Sequence, residues 1–194
     1  EKAGKEASAV VALGGIWGLV VSGLITVGLL MLHLRKSGRK EAIGLFAPSQ
    51  LSVVKTLGIA LGLLAIAYAL NWLYSTYVVP GVELQKDIKL MLAAVPRTPL
   101  NMVVLFLAAA VMAPLVEELL FRGYLQTSLK HHMGGTWAIL VSALIFSLVH
   151  MQPLAIPGLF ALGAAFGYIY DRTGSLKTNI LLHLANNALA VAFM

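Results

Sequence analysis

Two adjacent carboxylates and an arginine sit inside an apolar stretch of this chain, where Met112 to Gln126 reads MAPLVEELLFRGYLQ. Glu117 and Glu118 are the only acidic residues within the strongly hydrophobic segments. Glu1, Glu6, Glu41, Glu83, Asp87 and Asp171 all fall in polar ends and connections. An ionisable group at bilayer depth costs about 2.5–3.5 kcal/mol on insertion scales, so it faces a protein interior and marks a function. On a helix, Glu118 and Arg122 stand one turn apart and can pair. Glu117 points about 100° away and is left without that partner. An unpaired carboxylate beside a paired one suits acid–base work. Glu117 is the expected base, and Glu118 with Arg122 the expected structural pair.

Two more spacings of four residues follow: Phe146-x-x-x-His150 and His183-x-x-x-Asn187. Each places two side chains on one helix face. Two histidines, a carboxylate and an amide converging in one interior pocket would suit water activation. Glu117 would take the proton, the histidines would ligate a metal or polarise a carbonyl, and Asn187 would donate to the developing oxyanion. Plainer roles are expected for their neighbours. Phe146 packs the pocket wall, Asn186 makes a helix–helix hydrogen bond, and His33, His131 and His132 are solvated at interfaces.

The elements that must position these groups are membrane helices. Hydrophobic residues make up 59% of the 194 and charged residues 11%, far below the roughly 25% charged residues of a soluble domain. The apolar runs are continuous rather than alternating, which excludes a membrane barrel and gives an all-α, polytopic helical bundle. The net charge of +6 comes from cations in short connections, without interleaved aromatics, so it points to a bilayer and not to nucleic acid. There is no cysteine, hence no disulfide or thiolate-bound metal. The chain starts at Glu1 without Met, as a trimmed segment would.

About six spans are expected, over residues 7–34, 56–79, 99–130, 136–151, 158–170 and 178–194, with an amphipathic connection at 80–98. Pro114 should kink the third, and the break at 131–135 should separate it from the fourth. Residues 1–98 then supply two spans plus the connection, and 99–194 the catalytic core in one structural unit. Basic residues assign the connections at 35–55, 130–135 and 171–177 to the cytoplasm, with both termini outside. His150 can meet Glu117 and His183 only if its helix stops inside the bilayer. The Met151-Gln152-Pro153 break allows that, because irregular backbone survives at depth where it lines a cavity.

Taken in this order on successive helices, EExxxR, FxxxH and HxxxN resemble the CAAX protease and bacteriocin-processing (Abi) family of intramembrane endopeptidases. That family includes the type II CAAX prenyl endopeptidases. The likeness covers Pro99 to Met194 and includes the run APLVEELLFRG. It implies a multi-pass protein of a prokaryotic cell membrane that cleaves membrane-associated, lipidated or plain peptide substrates. It also implies Glu117 as the water-activating carboxylate, His150 and His183 at the water or metal, Asn187 completing the pocket, and Glu118 and Arg122 in support. No HExxH is present. His150, His183 and Glu117 could still hold zinc or another divalent metal with an open position for water, and the donor set favours that reading over a metal-free one. The alternatives from other classes are a non-catalytic scaffold or immunity protein, and a proton relay or transporter. The intact motifs disfavour the first; the lack of repeats or paired broken helices disfavours the second.

Overall fold

The computed structural model describes residues 2–37, 43–84 and 86–192, and every regular element among them is helical. Glu1, Arg39, Lys40, Glu41 and Met194 lie outside the described residues. Helix α1 spans Lys2–Ser37, α2 spans Val53–Leu73 with a wide π turn at Tyr74–Val78, and α3 spans Lys86–Ala93. Helix α4 covers 99–133, α5 covers 135–149, α6 is Ile156–Thr173 and α7 is Leu176–Ala192.

Local chemistry sets most of these boundaries. Ser52 caps α2 by accepting the Lys55 N–H, and Thr98 caps α4 by accepting the Asn101 N–H ahead of Pro99. A proline in the first turn gives up no helical hydrogen bond. At the far end of α6, Gly174 adopts φ 63° and closes the helix through its N–H to Tyr170 O. Such left-handed closures favour glycine.

Four helical stretches among the described residues are long and apolar enough to cross a bilayer: Glu6–Ser37, Val53–Val78, Pro99–Val149 and Pro153–Thr173. The third doubles back at Gly134, whose φ of 77° and ψ of 167° leave the helical region. A glycine reaches that conformation without a Cβ clash. The reversal is evident beyond it, where Ser142 Oγ donates to Phe121 O at 3.0 Å and the Phe121 and Phe146 rings meet edge-on at 5.2 Å. Two helices thus come from this stretch, and α7 adds another, shorter apolar helix. The result is a multi-pass bundle of the expected kind.

The expected kink at Pro114 takes the form of widened turns. Leu107–Met112 and Glu118–Gln126 are π-helical, on either side of a short α segment, Ala113–Glu117. In this register the Ala113 N–H bonds Ala108 O. The next donor, for Ala109 O, would come from residue 114, a proline without an N–H. Asn187 Nδ2 on α7 supplies it instead, at 3.1 Å. Wide turns of this sort recur at functional sites.

Packing is densest where α6 meets α5, and α6 also bonds to α4. Arg122 Nη2 and Gln126 Nε2 donate to Gly163 O and Gly167 O at 3.0 and 2.9 Å. A Cβ on Gly163 would stand 3.0 Å from Phe146 Cδ1, and one on Gly167 would stand 2.9 Å from Gln126 Oε1. The two glycines let α6 approach closely enough for its carbonyls to accept those donors. At the ends of α6 and α7, residues 43–50 form a strap: Tyr170 Oη donates to Ile43 O, Ser175 Oγ to Ala47 O, and Gln50 N–H to Thr173 O.

Candidate active site

Glu118 is the hub of the site and is fully buried. Its Oε1 lies 2.9 Å from Arg122 Nη1 and 2.7 Å from His183 Nδ1, and its Oε2 accepts from Asn179 Nδ2. Two hydrogen-bond donors and a guanidinium ion pair on its two oxygens offset the desolvation of this buried carboxylate. Arg122 is equally buried and is sandwiched by aromatic rings, with its guanidinium carbon 4.9 Å from the Phe146 centroid and 5.7 Å from that of Phe166. The expected Glu118–Arg122 pair is present, and it also carries His183.

Both histidines are held in one tautomer. A carbonyl or carboxylate oxygen can only accept, so His150 Nδ1 donates to Phe146 O at 2.7 Å and His183 Nδ1 donates to Glu118 Oε1. In the neutral ring this leaves each Nε2 with a free lone pair. The Nε2 of His150 lies 3.9 Å from Glu117 Oε1, and that of His183 lies 3.7 Å from Glu117 Oε2. Phe166 stacks on His183 at 4.3 Å between centroids, nearly parallel, while Phe146 leans on His150 at 4.6 Å. The Glu117 side chain retains 22% of its exposure, against none for Glu118. One carboxylate is locked and the other is open.

That opening is a cavity of about 540 Å³ whose lining runs from Glu117, His150 and His183 to Leu84, Ile88 and Lys89 at the connection and α3. His150 reaches it because α5 ends there. His150 caps the helix, Met151 turns away with φ 53°, and Pro153–Ala155 forms a single 3₁₀ turn before α6.

The other expected residues sort as follows. Phe146 is buried as a wall. Asn186 accepts the Tyr68 hydroxyl across helices at 2.9 Å. His33, His131 and His132 are exposed. Asn187 lines the cavity, with one N–H directed to Ala109 O and its Oδ1 accepting from Asn186. Sequence reasoning missed Asn179 and Phe166. For Asn179 a signal existed: Asn179-x-x-x-His183-x-x-x-Asn187 places all three on one face of α7.

A metal at this site would need three donors. His150 Nε2, His183 Nε2 and the Glu117 carboxylate are the right kind, with each ring oriented through its other nitrogen as ligating histidines are. Their spacing is wider than the N–O separation of about 3.3 Å expected around a tetrahedral zinc with bonds near 2.0 Å. Among the described residues no three His, Asp or Glu side chains stand at ligating spacing. The donor chemistry fits the group, while the spacing in this structure does not close around an ion.

Residues 99–189 match the family model of the Rce1-like type II CAAX prenyl endopeptidases. Over 184 residues the chain is 27% identical to YdiL of Bacillus subtilis (strain 168), provisionally named a membrane peptidase. That match covers 91% of this chain and 70% of that protein. It is 32% identical over 90 residues to MroQ of Staphylococcus aureus (strain USA300), a membrane-embedded CAAX protease, covering 43% of this chain and 36% of that protein. YaiF of Lactococcus lactis subsp. lactis (strain IL1403) is 32% identical over 89 residues, 45% of this chain and 39% of that protein. No solved structure matches the chain significantly. With its apolar helices, its two-glutamate, two-histidine site and these bacterial relatives, this is a multi-pass bacterial membrane protein that is similar over residues 99–189 to the Rce1-like type II CAAX prenyl endopeptidases.

Proposed function

We propose that the chain is an intramembrane endopeptidase in which Glu117 activates the hydrolytic water. The observation that carries this reading is the approach of both free Nε2 atoms to the Glu117 carboxylate, at 3.9 and 3.7 Å, in a cavity at membrane depth. Those spacings are too long for direct hydrogen bonds, and a water placed to one side of the N···O line can reach Glu117 and an Nε2 together.

Glu117 takes one proton of that water while an imidazole Nε2 accepts the other O–H, which aims the oxygen lone pair at the scissile carbonyl carbon. The C–O bond forms, and the carbonyl oxygen becomes an oxyanion. The second N–H of Asn187, not used on Ala109 O, is available to it. The C–N bond then breaks, and the proton held by Glu117 passes to the leaving amine. Glu118 takes no part in the proton transfer. It fixes the His183 ring, as Arg122 and Asn179 fix Glu118.

The metal-assisted reading rests on the same three donor atoms. His150, His183 and Glu117 would hold a divalent ion such as zinc, which supplies Lewis-acid polarisation and a more acidic water when bound. Spacings of 3.7 and 3.9 Å exceed the separation around a tetrahedral zinc and fall short of the roughly 4.5 Å between two partners of one water, so they favour neither form.

The substrate is proposed to be a peptide or protein segment at the membrane, lipidated or plain. Cleavage of a quenched fluorescent apolar peptide by the purified chain in detergent tests the reading, with Glu117→Gln alongside. Equal cleavage by the two proteins would sink it, and so would no cleavage by wild-type protein that is folded and binds the peptide.

A further inference from the structure

Two side-chain amides in the cavity have no role in the chemistry above. Gln152 and Asn71 both line the space that Glu117, His150 and His183 share. Among the described residues neither makes a side-chain hydrogen bond, and Gln152 Oε1 is buried without a partner. The other amides around the site each make at least one side-chain hydrogen bond, Asn179 to Glu118, Gln126 to Gly167 O, Asn186 with Tyr68 and Asn187 to Ala109 O, although Asn179 Oδ1 and Gln126 Oε1 are also buried without a partner.

Buried polar atoms are nearly always satisfied, so an orphan in a native cavity calls for a partner that arrives later. An amide is also an unusual choice for a wall that is otherwise largely apolar. It carries no charge that must be desolvated, yet it offers both a donor and an acceptor. A peptide main chain entering a cavity at membrane depth has the same requirement in mirror image. Each N–H and C=O leaving water must be paired or suffer the full desolvation penalty.

The local backbone holds both amides in place. Gln152 follows Met151, whose φ of 53° is the only positive value at a non-glycine among the described residues. A strained residue of this type persists where the surroundings fix it, and such residues cluster at ligand sites. Asn71 lies against the start of α6, and the fit requires Gly158. A Cβ there would stand within clashing distance of the Asn71 side chain. Two elements far apart in sequence thus bring free amides to one wall.

We propose that Gln152 and Asn71 form a main-chain subsite that binds the substrate peptide in extended form beside the scissile bond. Alternate residues of an extended strand direct N–H and C=O groups to the same side, and a dual-function amide suits each. Leu105, Leu159 and Leu162 of the same cavity would then contact apolar side chains. The substrate class is an apolar segment recognised by its backbone and by general hydrophobicity rather than by one charged residue.

The proposal rests on the peptidase reading, so the test separates the two. Wild-type cleavage and its loss in Glu117→Gln decide the reading first. Peptide affinity is then measured by fluorescence anisotropy on the full chain carrying Glu117→Gln, alone and combined with Gln152→Met or Asn71→Ala. Each added substitution should weaken binding of an apolar peptide by about 3- to 10-fold, the net value of one hydrogen bond, with the melting temperature maintained. One position of N-methylation on the peptide should weaken binding by a similar factor, and this loss should vanish in the Gln152→Met protein. Unchanged affinity in both variants would overturn the subsite. A melting-temperature loss with affinity intact would also overturn it, by making the amides packing groups. N-methyl effects that persist undiminished in Gln152→Met would do the same.

Discussion

The Nδ1 of His183 donates to Oε1 of Glu118 across 2.7 Å, inside a core from which both side chains are essentially excluded from solvent. The same ring turns its Nε2 towards Glu117 at 3.7 Å. One imidazole therefore links the locked Glu118 carboxylate to the open Glu117 carboxylate. Support and the proposed chemistry are coupled through a single ring.

Replacing Glu118 should damage stability and activity together. In Glu118→Ala, Arg122 is left buried without its partner, a loss of about 3–5 kcal/mol. The double variant Glu118→Leu with Arg122→Leu should recover only part of that stability, since the buried charge is gone but His183 Nδ1, Asn179 Nδ2 and Gly163 O lose their partners. It should remain inactive, because His183 has lost its orienting acceptor. Thermal melting with activity on the same samples checks this; a double variant that regains activity would show that Glu118 only fills space.

Glu117→Gln is expected to behave in the opposite way. Its carboxylate retains some exposure and has no close ion-pair partner, so melting should stay near wild type. Loss of a general base lowers turnover by about 10²–10⁴-fold. Turnover within a factor of two of wild type would move the base elsewhere.

The bond from Asn187 to Ala109 O yields a third expectation. Asn187→Leu should destabilise the fold by about 1–3 kcal/mol, the penalty for a buried acceptor left unmade. Pro114→Ala returns an N–H at the position opposite Ala109 O in the wide-turn register. In that background the same Asn187→Leu change should cost less. Equal melting losses with and without the proline would show that Asn187 does not substitute for the missing N–H.

Close approach of α6 predicts what a methyl group would do. Gly167→Ala meets Gln126 Oε1 at 2.9 Å and Ile139 Cγ2 at 3.1 Å, and Gly163→Ala meets Phe146 Cδ1 at 3.0 Å and Ala143 Cα at 3.3 Å. Overpacking of this kind costs about 1–3 kcal/mol. Gly163→Ala should in addition lower kcat/KM, because Phe146 touches both His150 and the Arg122 guanidinium. Parallel melting and kinetics on the two variants separate the effects.

If Glu117 activates the water without an ion, prolonged dialysis against a chelator leaves cleavage largely intact. Complete loss with recovery on adding zinc or cobalt would place an ion on His150, His183 and Glu117. Metal content of the dialysed sample, measured directly, makes either result decisive.

Much of this site was legible in the sequence, because charged and imidazole groups inside apolar helices are conspicuous and the helical period fixes which of them share a face. Glu118 with Arg122, His150 on the face of Phe146, and the stop at Met151 all follow from spacing alone. Asn179 did not stand out: a polar residue near the start of a helix looks like ordinary end chemistry, and only tertiary packing brings it to Glu118. The role of Asn187 at Ala109 depended on a π register, which no periodicity of apolar residues records. The reversal at Gly134 falls inside the break that the sequence places at 131–135.

That reversal also dictates the order in which the site is built. Glu117, Glu118, Arg122, Phe146 and His150 belong to one antiparallel hairpin, α4 with α5, whereas Asn179, His183 and Asn187 arrive on the last helix. A chain made from its N-terminus forms the hairpin first. Until α7 docks, Glu118 has only Arg122 as a partner, Ala109 O lacks its donor, and Glu117 faces a single imidazole. On the proposed mechanism, hydrolytic competence therefore waits for α7, and a protein in which that helix has not inserted is disarmed.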